Sequence, residues 1–437
     1  MKRIYLTLLL IAGLSATAIA RQDSTSFRKT GFTFGALPVI AYDNDLGLQN
    51  GVLTNLYWYG DGSTYPKYNH SLYLEVSRYV AGTMLARAYF DSHKLIPGFR
   101  TTADFTFFND LTLDFTGFNG KKSRYVKDYT DEESDDYISR IFYKHERQMM
   151  RFMFNLRQRI NDRSPLYWLT GLTAFNMNIG PTRRDKLKDD VPDTPTLFEN
   201  FCKWNVISPE EQDGGFNTYI KAGFGIDTRD NEAFPTKGIW TEALLAYAPS
   251  VLSNDKHDYG KITIYHHQYF NLHAKKLVLA YRLGLQHKLW GDTPFYLLPH
   301  WNTTLLRAAT SQGLGGAKTM RGIKRNRIVG DGSILANIEL RYIFLDLYLL
   351  GQNISVGTNL FSDLGMVTQK YDIDETLVPA NMRSVVFTGE DETLHASAGI
   401  GLKISLNKNF TLAADWGKAL DSNDGESGFY VQMNYLF

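Results

Sequence analysis

The stretch GGAKTMRGIKRN, residues 315–326, brings together glycines and cations in a pattern that has three possible chemical readings. Arg321 stands between a methionine and a glycine, and three further cations follow it: Lys324, Arg325 and Arg327. Such a group could contact nucleic acid, cradle a phosphate, or pair with carboxylates inside the protein. A phosphate loop needs a preceding strand, a Lys-Ser/Thr ending and a following helix, which this stretch lacks. The net charge of +1 argues against a nucleic-acid binder.

Other polar motifs carry weaker chemical signals. In GIDTRD, Asp227 and Arg229 share one face of an extended chain, which favours a structural turn of charged side chains over a metal or catalytic site. His266 and His267 are adjacent on a strand pattern, so they point to opposite faces and cannot both ligate one metal. Neither an HExxH nor a Gly-x-Ser-x-Gly motif occurs. We therefore expect no enzymatic activity, no cofactor and no metal.

The elements that must position these groups alternate strictly. In SILANIELRYIF, residues 333–344, every even position is apolar and the odd positions include Glu339 and Arg341. The same alternation recurs in ISVGTNLFSDLG, ASAGIGLKISL and FYVQMNYLF. Segments of about ten residues with one apolar and one polar or small face are typical of a transmembrane β-barrel. A soluble sandwich also alternates, but with fewer glycines and charges over so many long strands.

Composition agrees with an exported barrel. Aromatic residues make up 14% of the 437 residues, mean hydropathy is −0.28, and a single cysteine, Cys202, excludes a disulfide framework. Residues 1–20 have a cationic start, an apolar run and a small-x-small ending, which predicts a signal peptide. Residues 21–437 are then expected to form one barrel domain, with no transmembrane helix.

The alternation predicts sixteen strands, an even number as bacterial barrels require. Long connections, 111–141, 179–216, 291–331 and 366–393, all fall at one end of the barrel, and we assign them to the cell exterior. The predicted strands are 31–42, 49–60, 69–80, 83–93, 99–110, 142–160, 166–178, 217–230, 238–248, 258–271, 275–290, 332–346, 353–365, 394–406, 409–418 and 429–437.

Several of these motifs, all within residues 217–437, resemble those of the BamA-like superfamily of outer-membrane assembly and secretion barrels, the bacterial surface antigen family. GGAKTMRGI resembles the Arg-Gly motif of the sixth outer loop, NIELRY the strand after it, and LFSDLG the Phe-x-Asp-x-Gly motif of the next strand. The resemblance implies an all-β, sixteen-stranded antiparallel barrel whose sixth extracellular loop folds into the lumen. Arg321 would then contact Glu339 and Asp363, with Gly322 allowing close passage of the backbone.

The resemblance extends to a turn and to the last residue. GIDTRDNEAFPTKG, residues 225–238, resembles the periplasmic turn between strands 8 and 9. The residues implied for this turn are Asp227, Arg229, Asp230, Pro235 and Gly238. A terminal Phe437 on an alternating strand is similar to the signal that marks outer-membrane barrels for insertion. One departure is the short stretch before strand 1, which leaves no room for periplasmic POTRA modules and predicts a barrel-only member.

The resemblance implies an outer-membrane barrel that acts in protein or lipid insertion or in translocation. The alternative is a passive pore or a surface receptor that keeps the barrel without the transport role. Expected partners are outer-membrane lipid and, for the first function, periplasmic or outer-membrane proteins that supply the missing modules. We expect a monomeric barrel and no nucleic-acid ligand.

Overall fold

The computed structural model describes residues 29–437 except 66, 162, 188–190, 233, 254–256, 305–312, 350–351, 407–409 and 434. The predicted signal peptide, residues 1–20, lies outside the described residues. Among the residues that the structure describes, no helix has the length and hydropathy needed to cross a membrane.

The described chain forms a closed barrel of sixteen antiparallel strands, which confirms the predicted fold class. Each strand pairs with its sequence neighbours, and β1 and β16 meet to close the barrel. The strands are β1 Gly31–Asp43, β2 Gly47–Gly60, β3 His70–Tyr79, β4 Met84–Ser92, β5 Arg100–Asp114, β6 Lys144–Arg159, β7 Leu166–Gly180, β8 Gly214–Asp227, β9 Gly238–Ala248, β10 Tyr259–His273, β11 Leu277–Gly291, β12 Gly332–Leu349, β13 Gln352–Gln369, β14 His395–Leu406, β15 Phe410–Ala419 and β16 Ser427–Met433.

Alternation along each strand separates a lipid-facing surface from the interior. On β12, Ile338 and Leu340 are 44% and 39% exposed, whereas Glu339 between them is fully buried. Side chains of adjacent strand residues point to opposite faces, so apolar residues cover the outside and polar ones fill the lumen. The barrel is therefore inverted relative to a soluble protein, with its charges inside.

The last strand is shorter than the sequence pattern predicted. We expected a strand over 429–437 with Phe437 on its apolar outer face, but β16 ends at Met433. The ring of Phe437 instead packs among interior residues, 5.0 Å from the guanidinium carbon of Arg341. An Arg341 Nη2 hydrogen bond to the main-chain oxygen of Phe437, at 3.0 Å, holds the end there. Aromatic-cation contact inside the barrel thus outweighs continuation of the strand. Its role as an insertion signal stays a prediction.

The pairing that the structure describes between the first and last strands is short. Among the described residues, β1 and β16 share one partner pair, Tyr42 and Val431. By contrast, β1 pairs with β2 along its whole length, from Gly31 to Asp43. On the side of β1 that faces β16, the residues before Tyr42 therefore have no described partner pair. A strand edge with few interstrand hydrogen bonds is the easiest place to open a sheet.

The longer loops gather at the outer end and share a hydrophobic core. We name them loop 3 (115–143), loop 4 (181–213), loop 6 (292–331) and loop 7 (370–394), and the shorter connection 420–426 is named loop 8. Phe115 and Phe118 of loop 3 pack against Phe201 of loop 4, and the cluster extends to Phe295 of loop 6 and Val386 of loop 7. These loops therefore support one another above the barrel.

Short helices shape the loops. Helix α1 (Leu197–Lys203) begins with a capping box, in which Thr196 and Glu199 satisfy each other's backbone N–H groups. Its inward face carries Phe198 and Phe201 into the loop core. The other helices that the structure describes are α2 Arg383–Val386 and the 3₁₀ turns Gly120–Lys122, Lys127–Thr130, Arg184–Lys186, Ser250–Leu252, Phe295–Leu297, Glu375–Leu377 and Ser422–Asp424.

Phe201→Ala should loosen the outer loops without unfolding the barrel. Phe201 is fully buried in the loop core, and truncating a buried phenylalanine costs about 3–5 kcal/mol. Limited proteolysis should show new cleavage in loops 3, 4 and 7, while the folded barrel keeps its heat-modifiable gel mobility. Val251→Ala, at a side chain that is 86% exposed, is the control. Equal protease resistance in the two variants would contradict a shared loop core.

Candidate functional site

The Met-Arg-Gly stretch, residues 320–322, lies on a hairpin within loop 6. Leu314 and Ile328 exchange backbone hydrogen bonds at 3.1 and 3.0 Å, which ties the two arms together. Met320 and Ile323, near the tip, are fully buried in a cluster with Leu335 and Val367 of the barrel wall. Apolar contact therefore holds the hairpin against β12 and β13 independently of its charged groups.

Arg321 is fully buried, and its guanidinium forms hydrogen bonds with side chains of two strands. Nε and Nη2 donate to the two carboxylate oxygens of Asp363 on β13, each at 2.9 Å, and Nη1 donates to Glu339 of β12 at 2.7 Å. The backbone N–H of Arg321 also donates to Asp363, at 3.0 Å. A bidentate Arg–carboxylate pair fixes both distance and plane. The structure thus brings Arg321 together with the two carboxylates that parity places on the lumen face and that the family resemblance assigns to it.

Further residues of this site were missed by sequence reasoning. The Arg321 guanidinium carbon lies 3.5 Å from the ring centroid of Phe361, the partner of Glu339 across the β12–β13 ladder. Asp415 of β15 lies 3.6 Å from Nη1 and is itself paired with Lys403 of β14, at 2.6 Å. Phe361 had a detectable signal, an aromatic ring on the polar face two residues before Asp363. Asp415 had none, because parity gives the face of a strand and not its neighbours.

Gly322 sits where a side chain has no room. Its φ is +93°, and a Cβ would lie 2.6 Å from the carbonyl carbon of Gly417 on β15. Its backbone N–H donates to the hydroxyl of Tyr430 on β16, at 3.1 Å. Glycine is required here for two separate reasons, a left-handed backbone and contact with another main chain.

Arg325, whose role the sequence did not explain, contacts the opposite wall of the barrel. Arg325 is nearly fully buried, and its Nη1 donates to Asp110 of β5 at 2.7 Å. Its Nε lies 3.7 Å from Asp114, and its backbone N–H donates to Asp45 in the β1–β2 turn at 3.2 Å. Arg321 and Arg325 therefore attach one short segment to wall strands that are far apart around the barrel.

Arg327 attaches the hairpin to the outer loops. Nη1 and Nη2 donate to the carbonyl oxygens of Gly120 and Ser123 in loop 3, at 2.9 and 3.0 Å. Nε donates to the carbonyl of Asn423 in loop 8, at 2.9 Å. Lys324 contributes its backbone N–H to the carbonyl of Asp424, also in loop 8, at 2.9 Å. Arg321, Arg325 and Arg327 thus attach the hairpin to two opposite walls of the barrel and to the loops above it.

Electrostatics in the hairpin follow from burial and paired charge. Burial lowers the pKa of Arg321, but Asp363 and Glu339 more than offset it, so the pKa lies above its ordinary value and the guanidinium stays charged. Arg325 behaves likewise through Asp110 and Asp114. In the β1–β2 turn, burial and the neighbouring Asp114 and Asp43 raise the pKa of Asp45 to about 6. This end of the barrel therefore holds closely balanced charges.

A family model for the Omp85 superfamily domain matches residues 98–437 of the chain. The chain belongs to the Omp85 superfamily. It is an outer-membrane β-barrel by that membership and by its closed sixteen-stranded fold. No curated protein sequence matches this Omp85 chain.

Two solved structures show how far the Omp85 fold extends over the chain. BamA from Haemophilus ducreyi lacking POTRA domains 1–3 is 15% identical, with a TM-score of 0.56, and the match covers 93% of this chain and 70% of that one. CdiB from Escherichia coli is 10% identical, with a TM-score of 0.55, over 93% of this chain and 63% of that one. Identities this low show a shared fold alone. The Omp85 chain spans less than two thirds of the CdiB structure.

The predicted turn motif closes the connection between β8 and β9. Arg229 donates from Nε and Nη2 to Asp227, at 3.0 and 2.8 Å. Asp230 accepts from the backbone and the hydroxyl of Thr236, at 2.8 and 2.6 Å. Pro235 is buried within the turn. Gly238 has a φ of +100°, and a Cβ there would meet the carbonyl oxygen of Thr228 at 2.3 Å.

Within the described part of the chain, no group of three or more His, Cys, Asp or Glu side chains is arranged to hold a metal ion. The adjacent histidines lie on opposite faces of β10. His266 lies 2.7 Å from the hydroxyl of Thr241, whereas His267 is 2% exposed inside the barrel.

Arg321→Ala should release the loop 6 hairpin. Removing one partner of a buried charged pair costs about 3–5 kcal/mol, because Asp363 and Glu339 would remain buried without their donor. Limited proteolysis should reveal new cleavage in residues 292–331. Arg321→Lys keeps the charge but loses the planar guanidinium that binds Asp363 through two N–H groups, so its protease sensitivity should be intermediate. Arg183→Ala is the control, since Arg183 is 41% exposed and pairs with Glu146 at the surface. Unchanged protection of loop 6 in Arg321→Ala would contradict the anchoring.

Gly322→Ala should also weaken the hairpin, more than the same change at Gly389. Both glycines have positive φ, +93° and +79°, but a Cβ at Gly389 would have no atom within 4 Å. The backbone penalty, about 1–2 kcal/mol, is therefore shared, and only Gly322→Ala adds the clash with Gly417. Thermal denaturation and loop 6 proteolysis measure the difference. Equal effects of the two substitutions would show that close contact with β15 does not matter.

Proposed function

We propose that this Omp85 barrel inserts or translocates substrates at the outer membrane by opening the seam between β1 and β16. The observation that carries the proposal is the single described partner pair, Tyr42 and Val431, at that seam. Opening elsewhere would break a full ladder, such as the one that joins β1 to β2 from Gly31 to Asp43. Among the ladders that the structure describes, the seam has the fewest partner pairs, and separating it therefore costs the fewest hydrogen bonds.

In this proposal, loop 6 is an internal lid and Arg321 is its clamp. The contacts with Glu339 and Asp363 keep the hairpin on β12 and β13, and the Arg325 contact with Asp110 spans to β5. The ion pairs of the lid lie on β12, β13 and β5, whereas its contacts with the seam strand β16 are hydrogen bonds, from Gly322 to Tyr430 and from Lys318 to Gln432. The lid would keep the lumen filled while the seam moves, because its ion pairs hold it to the other strands when the bonds to β16 break.

The alternative function, a passive pore, fits the arrangement less well. A pore needs a continuous aqueous path, whereas the outer loops share a hydrophobic core above the buried hairpin. A surface receptor remains compatible with such loops, but no ligand chemistry on them favours it. Steady conductance of the purified barrel in a planar bilayer would support the pore over the gate.

Locking the seam should abolish the proposed activity. Tyr42→Cys with Val431→Cys, in a Cys202→Ala background, places two thiols on directly paired residues. Facing residues in antiparallel strands have Cα separations of about 4.5–5.5 Å, which a disulfide can bridge. The measurement is the rate at which a model outer-membrane barrel folds into vesicles that contain this protein. Oxidation should remove the acceleration, and reduction should restore it.

A matched disulfide within a full ladder is the control. Val52→Cys with Val76→Cys joins β2 to β3 at paired, lipid-facing positions that are 56% and 52% exposed. This lock should leave the acceleration intact. If the β1–β16 lock also leaves it intact, seam opening is wrong. If the unmodified protein gives no acceleration of folding and no transfer of a test substrate, insertion and translocation are both wrong.

A further inference from the structure

The periplasmic end of the barrel contains a cavity of about 660 Å³, which we name the periplasmic vestibule. Its walls come from the β2–β3 and β4–β5 connections, the ends of β6 and β7, and the β8–β9 turn. Its charged lining is Lys67, Arg100, Arg157, Arg159, Arg229, Asp227 and Glu232. Sites for small organic molecules are typically about 300–1,000 Å³, so the vestibule is large enough for a molecule and not only for an ion.

Two of the arginines are held by carboxylates. Arg100 donates from Nε and Nη2 to Asp91, at 2.9 and 2.5 Å, and its Nη1 lies 3.8 Å from Glu232. Arg229 is paired with Asp227. Among the residues that the structure describes, these pairs account for the acidic side chains of the lining, so the remaining cations determine the character of the cavity.

Arg157 is the distinctive residue of the vestibule. It is directly opposite Arg100 in the β5–β6 ladder, and like charges in that position destabilise a sheet. Among the described residues it forms no ion pair, and its guanidinium carbon lies 4.6 Å from the ring centroid of Tyr167. Because the face of the Arg157 guanidinium lies over the Tyr167 ring, the N–H groups at its edge can donate to an anion. Arg159 and Lys67 likewise form no ion pair in the described structure, and both are exposed at the mouth.

The neighbouring His93 has a lowered pKa, mainly because it is buried and secondly because cations surround it. Burial and then the Arg100 guanidinium lower the pKa of His93 to about 4, and Lys67 and Arg157 act in the same direction. His93 is therefore neutral near pH 7, and its ring lies 5.7 Å from that of Tyr68. The vestibule thus combines aromatic surface with a fixed positive potential that does not depend on this histidine.

We propose that the periplasmic vestibule binds a phosphate group, carried by a small soluble ester or by a lipid headgroup, with Arg157 as its principal donor. A planar guanidinium matches two phosphate oxygens, and an anion placed between Arg100 and Arg157 relieves their repulsion. Arg159 and Lys67 add charge at the entrance. This site is separate from the loop 6 clamp and from the seam, and it does not depend on the proposed transport function.

Calorimetric titration of glycerol 3-phosphate into the detergent-solubilised full-length barrel tests the soluble ester. Retention of phosphatidylglycerol through purification, measured by lipid extraction, tests the headgroup. Arg157→Gln should weaken either interaction about tenfold or more, as expected for loss of a charged hydrogen bond. Lys276→Gln, at an exposed lysine in another periplasmic turn, should leave both unchanged. Heat-modifiable gel mobility checks that each variant folds, and Arg159→Gln, with a smaller expected loss, serves if Arg157→Gln does not.

Each outcome decides the proposal. Binding of glycerol 3-phosphate that Arg157→Gln weakens assigns a soluble ester, and arginine-dependent retention of phosphatidylglycerol alone assigns a lipid headgroup. Absence of both interactions, or equal weakening by Lys276→Gln, overturns it. Binding of polyglutamate without binding of either phosphate compound also overturns it and indicates an acidic polypeptide ligand instead.

Discussion

The buried charge of Arg321 must be neutralised inside the barrel. This requirement determines which carboxylates line the wall, the register of two strands and the conformation of loop 6. A buried guanidinium is tolerated only with its donors satisfied, and Glu339 and Asp363 accept from all three of its nitrogens. Their positions set the register of β12 against β13, because a one-residue slip would turn either carboxylate toward lipid. The left-handed backbone at Gly322 then brings the hairpin against β15. One interaction thus links loop conformation, strand register and wall composition.

The lipid-facing and interior surfaces differ in how readily the sequence predicts them. Alternation depends on a two-residue period, so it could place Glu339 and Asp363 on the interior face without a structure. It could also predict sixteen strands, and the observed boundaries of most lie within a few residues of those expected. The motif resemblance then joined Arg321 to both carboxylates. This information is local or lies between neighbouring strands, where parity and loop length are sufficient.

Contacts across the lumen were beyond such reasoning. Nothing in the β5 sequence marks Asp110 as the partner of Arg325, because the two are brought together only by the diameter of the closed barrel and the reach of loop 6. The last residues were misjudged for a related reason. Alternation continues to Phe437, yet the ring of Phe437 packs against Arg341 and Tyr269 inside the barrel and the strand ends before it. The alternation pattern contains no information about these interior contacts. Parity describes a strand and does not say where the strand stops.

The three-way anchoring of loop 6 has a consequence for the order of assembly. The hairpin touches β5 on one side and β12, β13 and β15 on the other, and loops 3 and 8 lie over it through Arg327. Packed outer loops would have to separate again to admit a segment covered in this way. An order of assembly in which the hairpin reaches its place first, and the cover then forms around it, avoids that cost. Such an order runs from the inside of the barrel outward.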